Sequence, residues 1–310
     1  MPYDNIDNQR GSGGVNNLAG IPVIVGPTAS GKTRYAVNLA KEIGAEIVSA
    51  DSMQIYRYMD IGTAKATLPE RAGIPHHMID IVDPDKRFSV ADYKKMALEC
   101  IDAIIARGRK VVVVGGTGLY ISALIYNIRY PGFAADPAYR ERLSREALSS
   151  GSEALYSELC NIDPEAAIKI HAHDLKRIIR ALEIYRATGK RMSEHERLSL
   201  SEPPQYTYDI IGLNAARDEL YRRIDARVDQ MFERGLLDEA RALLERYGST
   251  GTASQAIGYK ELFSYLNGEY PLCEAIQKIK SGTRHYAKRQ MTWFRRMPGV
   301  KWIDSDITGR

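Results

Sequence analysis

Along the first half of the chain, short and almost wholly apolar runs alternate with longer stretches whose apolar residues recur at helical spacing. Ile21-Pro-Val-Ile-Val-Gly26 is β-branched and closed by glycine. A run this short without polar alternation predicts a strand covered on both faces, as in a parallel sheet. Lys32 to Ile43 follows with helical periodicity, and Glu46 to Asp51 predicts a second strand ending on an acid. Ala91–Arg107 reads as a helix, and Val111–Val114 as a third strand running into Gly115-Gly116-Thr117-Gly118. Strand and helix in alternation imply right-handed crossovers, with ligands at the carboxyl ends of the strands.

From about Asp136 to Ser201 the valine runs stop. Leu143, Leu148, Leu155, Leu159, Ile168, Ile178, Leu182 and Tyr185 fall at helical spacing instead. Pro203-Pro204 closes this section, and Tyr208–Asn214 returns to an apolar strand that can rejoin the same sheet. The helical section therefore reads as an insertion. Further helices are expected over Glu219–Arg234, Leu237–Tyr247 and Pro271–Arg296. The expected division is a leader at 1–20, an α/β core at 21–133 and 205–310, and a helical insertion domain at 134–204.

Composition narrows the class. With 310 residues, 44% hydrophobic and 26% charged, the chain can bury a sizeable core and is not mainly disordered. The leader is polar and rich in Gly and Asn, without the apolar stretch of a signal peptide, and reads as disordered. Nor does any window approach the roughly 18 apolar residues of a membrane-spanning helix. Cys100, Cys160 and Cys273 lie far apart, which predicts reduced thiols rather than disulfides or zinc, and a cytoplasmic protein.

The sharpest chemical signal is Gly26-Pro27-Thr28-Ala29-Ser30-Gly31-Lys32-Thr33, which fits GxxxxGK[ST] between a predicted strand and a predicted helix. Glycines let the backbone wrap a phosphate, and the amides and helix N-terminus form an anion hole. Lys32 adds a cation, and Thr33 offers a hydroxyl to Mg²⁺. The fold class is thus α/β, a P-loop NTPase-like parallel sheet flanked by helices, with an inserted all-helical domain. In P-loop NTPases a second apolar strand ends in an Asp that helps hold Mg²⁺. Here the valine strand ends in glycines, which argues against ATP hydrolysis. The acid at a strand end is Asp51, able to assist Mg²⁺ through water, accept a substrate proton, or simply cap a turn. Thr117, in the second glycine turn, could donate to an anionic leaving group, or the turn could be only a tight connection.

The net charge of +4 is mild, but its distribution is not even. Lys278, Lys280, Arg284, Lys288, Arg289, Arg295, Arg296 and Lys301 occur without an acid between Ile276 and Trp302. Tyr286, Trp293, Phe294 and Trp302 are interleaved with them, which suits RNA backbone and unpaired bases, although a solvated cationic helix face would read alike. Lys176, Arg177, Arg180, Arg186, Lys190 and Arg191 form a second cluster.

Taken in order, GPTASGKT, SADSMQIYRYMDIGTAKAT, IPHHMIDIVDP, VVVVGGTGLYISAL, DPAYR, DLKRIIRALEIYRATGK, LYRRIDARVDQMFERGLLDEA, QAIGYKEL and RHYAKRQMTWFRR resemble the bacterial tRNA dimethylallyltransferases, the tRNA isopentenyltransferase family. The resemblance runs from about Pro22 to Phe294. It implies transfer of a dimethylallyl group from dimethylallyl diphosphate to the N6 amine of the adenosine 3′ of the anticodon, in tRNAs reading codons that begin with U. In such a family the phosphate loop grips the donor's diphosphate, with Mg²⁺ as cofactor. The resemblance further implies Asp51 as the base, Thr117 beside the reacting atoms, and Arg223 on the diphosphate, with Arg222 adjacent to it. It places Asp51, Ser52, Met53, Gln54, Thr117 and Arg140 against the target nucleotide and its neighbours. Lys176, Arg177, Ile178, Ile179 and Arg180, with Gln255, Gly258, Tyr259 and Lys260, would hold the anticodon stem-loop. The adenine would be flipped into a channel between core and insertion. The protein is expected to act as a monomer. Alternative readings are an adenylate isopentenyltransferase using free AMP, ADP or ATP, a P-loop small-molecule kinase, and a nucleotide-gated RNA-binding protein without catalysis.

Overall fold

The structure is a computed structural model, and it describes residues 19–130, 132, 136–199, 202–249 and 251–304. Most of the expected leader lies outside the described residues. The chain folds as two compact units: residues up to Ile125 together with those from Tyr206 on, and Tyr126–Gln205.

The first unit is built on a six-stranded parallel sheet. Its strands are β1 (Ile21–Val25), β2 (Ala45–Ser49), β3 (His76–His77), β4 (Lys110–Val114), β5 (Tyr208–Asn214) and β6 (Lys301–Asp304), in the order β3-β2-β4-β1-β5-β6. Every residue of β2 is buried, as is β1 after Ile21, which is why these strands show no polar alternation. β5 does rejoin the sheet beside β1, pairing Val23 with Ile210.

The helices of this unit are α1 (Lys32–Ile43), α2 (Leu68–Arg71), α3 (Val90–Ala106) and α4 (Gly118–Ile125), followed after the second unit by α10 (Arg217–Glu233), α11 (Leu236–Tyr247), α12 (Tyr259–Leu266) and α13 (Leu272–Arg295). Local chemistry sets several ends. Ser89 and Asp92 form a capping box that starts α3, and Gly44 closes α1 in the left-handed region at φ 68°. α1 buries Ala36, Val37, Leu39 and Ala40 against Ile24, Ile47, Val112, Ile211 and Leu213 of the sheet. In a separate core, α11, α12 and α13 pack with Ile55, Tyr56 and Met59 from the loop after β2.

The second unit holds α5 (Pro137–Ser150), α6 (Glu153–Ile162), α7 (Pro164–Lys169), α8 (Leu175–Thr188) and α9 (Met192–Ser199) around Leu143, Leu155, Leu159, Ile178 and Leu182. Asp136, Asp163 and Asp174 cap α5, α7 and α8. The unit begins at Tyr126 rather than at 134 and runs to Gln205. Its two chain ends are tied to each other: Asn127 Nδ2 donates to the Pro203 carbonyl at 3.0 Å, and Arg129 pairs with Glu202.

Two strands go beyond the sequence pattern. β3 is two residues long, and β6 is largely exposed along one edge, so neither carries an apolar run. β6 also reassigns Lys301 and Trp302. They belong to a strand paired with β5, where Trp302 lies against Gly212 and Lys301 is 3.6 Å from Asp209.

Candidate active site

The phosphate loop connects β1 to α1 at the carboxyl edge of the sheet. Gly31 takes φ 85° just before the helix, a conformation that favours glycine, and Ala29 shares the left-handed region at φ 62°. Lys32 Nζ donates back across the loop to the Pro27 carbonyl at 2.6 Å. The Ser30 side chain is buried, and its Oγ has no hydrogen-bond partner. Thr33 stands exposed on the first turn of α1. A buried hydroxyl without a partner and a lysine folded onto its own loop both suit an anion that would give each a better partner.

Electrostatics point the same way. Burial lowers the Lys32 pKa to about 7, with Asp51 opposing the drop and Arg227 adding to it. A lysine this poorly matched to its surroundings is accommodated when a polyanion sits beside it.

The second and third parts of the site come from the ends of β2 and β4. The strand ending at Asp51 does not neighbour β1, because β4 lies between them. The two loops meet instead. The Thr117 amide donates to the Ala50 carbonyl at 3.2 Å, and Thr117 Oγ1 accepts from the Ser52 amide at 2.9 Å. This approach explains Gly115, where a Cβ would fall 2.1 Å from the Ala50 oxygen.

Asp51 does cap its turn, with Oδ1 accepting from the amides of Met53 at 2.9 Å and Gln54 at 3.3 Å. Among the described residues Oδ2 has no hydrogen bond, so one oxygen remains for a substrate proton. Gln54 turns inward, donating to the carbonyls of Thr63 and Ala64.

Helix α13 braces both loops. Gln290, buried, accepts from the Thr28 amide at 2.8 Å and donates to the Gly116 carbonyl at 2.8 Å. Tyr286 lies within interaction range of Asp51, Thr117 and Gln290, and burial, ahead of the Asp51 charge, raises its pKa. Motif reading assigned no role to Gln290, since one amide in a basic helix carries no local pattern, and it set Tyr286 only among the aromatics suited to RNA bases rather than beside Asp51 and Thr117.

On α10, Arg222 is the outward residue, with a side chain 76% exposed against 34% for Arg223, and both reach Glu219. Leu220 and Ile224 of this helix pack on Ala29 of the phosphate loop together with Ala287 of α13.

The basic tail is less free than its sequence implied. Lys278 pairs with Glu274, Lys280 with Asp229 and Arg284 with Asp225, the last two joining α13 to α10. Phe294 is fully buried and cannot stack on a base. Lys288, Arg289, Trp293, Arg295 and Arg296 are exposed.

The expected RNA contacts divide by exposure. Lys176 and Arg177 are exposed on α8, and Gln255 and Lys260 are exposed before and on α12. Ile178, Ile179 and Tyr259 are buried, which corrects their reading as RNA-touching side chains. Apolar side chains at this helical spacing serve the core. The Tyr259 hydroxyl donates to Glu239 at 2.6 Å. Glu239 also accepts from the amides of Asp60, Ile61 and Gly62, and so fixes the loop that follows Gln54. Gly258 is buried as well.

Arg140 and Arg180 are held by Glu183, whose carboxylate is 1% exposed. Arg140 Nε and Nη2 and Arg180 Nη1 each lie 2.8 Å from it. Burial pushes the Glu183 pKa up, but these hydrogen bonds outweigh it and hold the carboxyl low.

The chain is similar to known proteins over most of its length. Residues 54–297 match the IPP transferase family. A tRNA dimethylallyltransferase of Acetivibrio thermocellus is 50% identical over 285 residues, covering 92% of this chain and 91% of its own length. One from Caldanaerobacter subterraneus is 51% identical over 289 residues, covering 92% of each. Among solved structures, the full-length tRNA isopentenylpyrophosphate transferase of Bacillus halodurans superposes with a TM-score of 0.69 at 48% identity, covering 92% of this chain and 89% of that one. A eukaryotic dimethylallyltransferase acting on tRNA gives a TM-score of 0.80 at 32% identity, over 93% and 75%. With a phosphate loop facing Asp51 and Thr117, and this identity over nearly its whole length, the chain belongs to the IPP transferase family.

Proposed function

We propose that the protein is a tRNA dimethylallyltransferase, moving a dimethylallyl group from dimethylallyl diphosphate to the N6 amine of the adenosine 3′ of the anticodon, in tRNAs that read codons beginning with U. One observation carries the chemistry. A phosphate loop built for a polyanion faces a carboxylate with one uncommitted oxygen, while the strand between them, β4, ends in glycine rather than the metal-holding acid of a hydrolase.

In this reading the loop amides, Lys32 and the Ser30 hydroxyl hold the diphosphate, and Arg223 closes on it from α10. The adenine amine attacks the first carbon of the dimethylallyl group as the carbon–oxygen bond to the diphosphate breaks. Asp51 Oδ2 takes the amine proton, and pyrophosphate leaves with the bonding electron pair. An adenine amine is a poor nucleophile, so positioning and leaving-group stabilisation supply most of the acceleration, and the base about 10²–10⁴-fold. Thr117, fixed by Ser52, orients the reacting region. The Thr33 hydroxyl would help to hold Mg²⁺, which would supply charge neutralisation to the leaving diphosphate.

The adenosine is expected to leave its stack to reach Asp51. Lys176, Arg177, Gln255 and Lys260 would contact the stem-loop backbone, with Arg140 and Arg180 presented by Glu183. Among the described residues no helix is long and apolar enough to cross a membrane. We place the protein in the cytoplasm, as a monomer.

The deciding experiment incubates the protein with Mg²⁺, dimethylallyl diphosphate and either unmodified tRNA or AMP, then reads nucleoside masses. A dimethylallyl gain on tRNA adenosine with AMP untouched is expected. Transfer to AMP alone would move the assignment to an adenylate isopentenyltransferase.

A further inference from the structure

Arg227 lies one helical turn beyond Arg223 on α10 and had no role in the sequence reading. Its helix is docked on the phosphate loop through Leu220, Ile224 and Ala29, so residues flanking that apolar row are carried towards the loop. The neighbouring charges on α10 are already committed. Arg222 and Arg223 reach Glu219, Asp225 pairs with Arg284, and Asp229 pairs with Lys280. Arg227 is only partly exposed, and among the described residues it has no carboxylate within ion-pair distance.

One charge acts on it, and it acts on one other. Glu70 attracts it from α2, but that carboxylate is engaged in the helix cap, bonding the Thr67 amide and hydroxyl at 2.8 Å each. The charge it acts on is Lys32, whose pKa Arg227 helps to lower, after burial. Burial lowers the pKa of both cations, so without ligand the protein holds two desolvated positive charges, one on the phosphate loop and one on the helix packed against it. Removing a buried charge's partner is costly, and a polyanion between the two cations would supply the missing partner to both.

We propose that Arg227 is a further phosphate-binding residue of the donor site, holding the diphosphate from α10 together with Lys32. This rests on the donor-site reading above. Arg227 thus adds a second arginine to the cradle, one helical turn from Arg223, and the guanidinium fork suits two phosphate oxygens at once.

The test is calorimetric titration of the full chain with inorganic pyrophosphate and Mg²⁺, run beside transfer kinetics. Arg227→Gln should weaken pyrophosphate binding by at least ~10-fold, as loss of a charge-assisted hydrogen bond does. The KM for dimethylallyl diphosphate should rise with it, while the KM for tRNA moves less than about twofold. Arg227→Lys should recover part of the loss, and Arg222→Gln should bind as wild type. Because the charge lacks a partner in the free protein, Arg227→Gln should melt no lower than wild type without anion. Pyrophosphate binding within twofold of wild type, or a lower melting temperature without anion, overturns the assignment. If the wild-type chain binds no pyrophosphate and transfers nothing, the donor-site reading falls and this assignment with it.

Discussion

The unfavourable setting of Lys32 makes a quantitative prediction. The fall of its pKa from 10.5 to about 7 is worth roughly 4–5 kcal/mol, reduced to about 2–4 kcal/mol by the side chain's partial contact with water. The sign follows from proton counting. Below about pH 7 folded and unfolded chains both carry the proton on this group, and the folded protein bears the whole cost. Between about 7 and 10.5 the unfolded chain binds more protons, so stability rises with pH at up to ~1.4 kcal/mol per pH step. Lys32→Met should therefore raise the melting temperature of the free protein at pH 6.5 and lose that advantage as pH approaches about 10. Pyrophosphate should reverse the effect by restoring the proton. At pH 8 a group of pKa about 7 is roughly one-tenth protonated, so binding should take up about 0.9 proton. Calorimetry in buffers of different ionisation enthalpy reads this uptake directly. Lys32→Arg, which stays charged, serves as the reference that subtracts protons taken up by the anion itself. Equal uptake by wild type and Lys32→Arg at pH 8, with Lys32→Met no more stable at pH 6.5, would refute the reasoning.

Other outcomes follow from the same contacts. Asp51→Ala should lower the transfer rate by at least ~10² while keeping tRNA affinity, and a collapse of affinity instead would make Asp51 a binding group. Replacing Lys176 and Arg177 with alanine should flatten the salt dependence of tRNA binding by about one to two in the log–log slope, read by filter binding across salt concentrations. An unchanged slope removes α8 from the interface. Glu239→Ala leaves three loop amides and the Tyr259 hydroxyl without their acceptor, and should cost about 2–4 kcal/mol in urea unfolding. A loss below ~0.5 kcal/mol would show that water replaces the carboxylate.

Much of this protein was legible before any coordinates. Apolar runs such as Val23–Val25 and Val111–Val113 are buried on both faces, and only a parallel sheet under helices gives them that environment. The phosphate loop was equally plain, because Gly26, Gly31, Lys32 and Thr33 form a local pattern with a local mechanism. The ordered motifs fixed the family for a similar reason, being contiguous segments. What the sequence could not supply were relations between segments distant along the chain. Strand order is one: β4 separates β1 from β2, and Asp51 reaches the site through the Ala50–Thr117 contact instead. Charge pairing is another. The basic run after Ile276 looks unopposed until α10 brings Asp225 and Asp229 against Arg284 and Lys280. Exposure is a third, since Ile178 and Tyr259 stand beside cations in sequence but point into cores. Gln290 and Arg227 show the limit most sharply. An amide and an arginine acquire meaning only when packing carries their helices onto the phosphate loop, and free energy depends on that proximity in space rather than on separation along the chain.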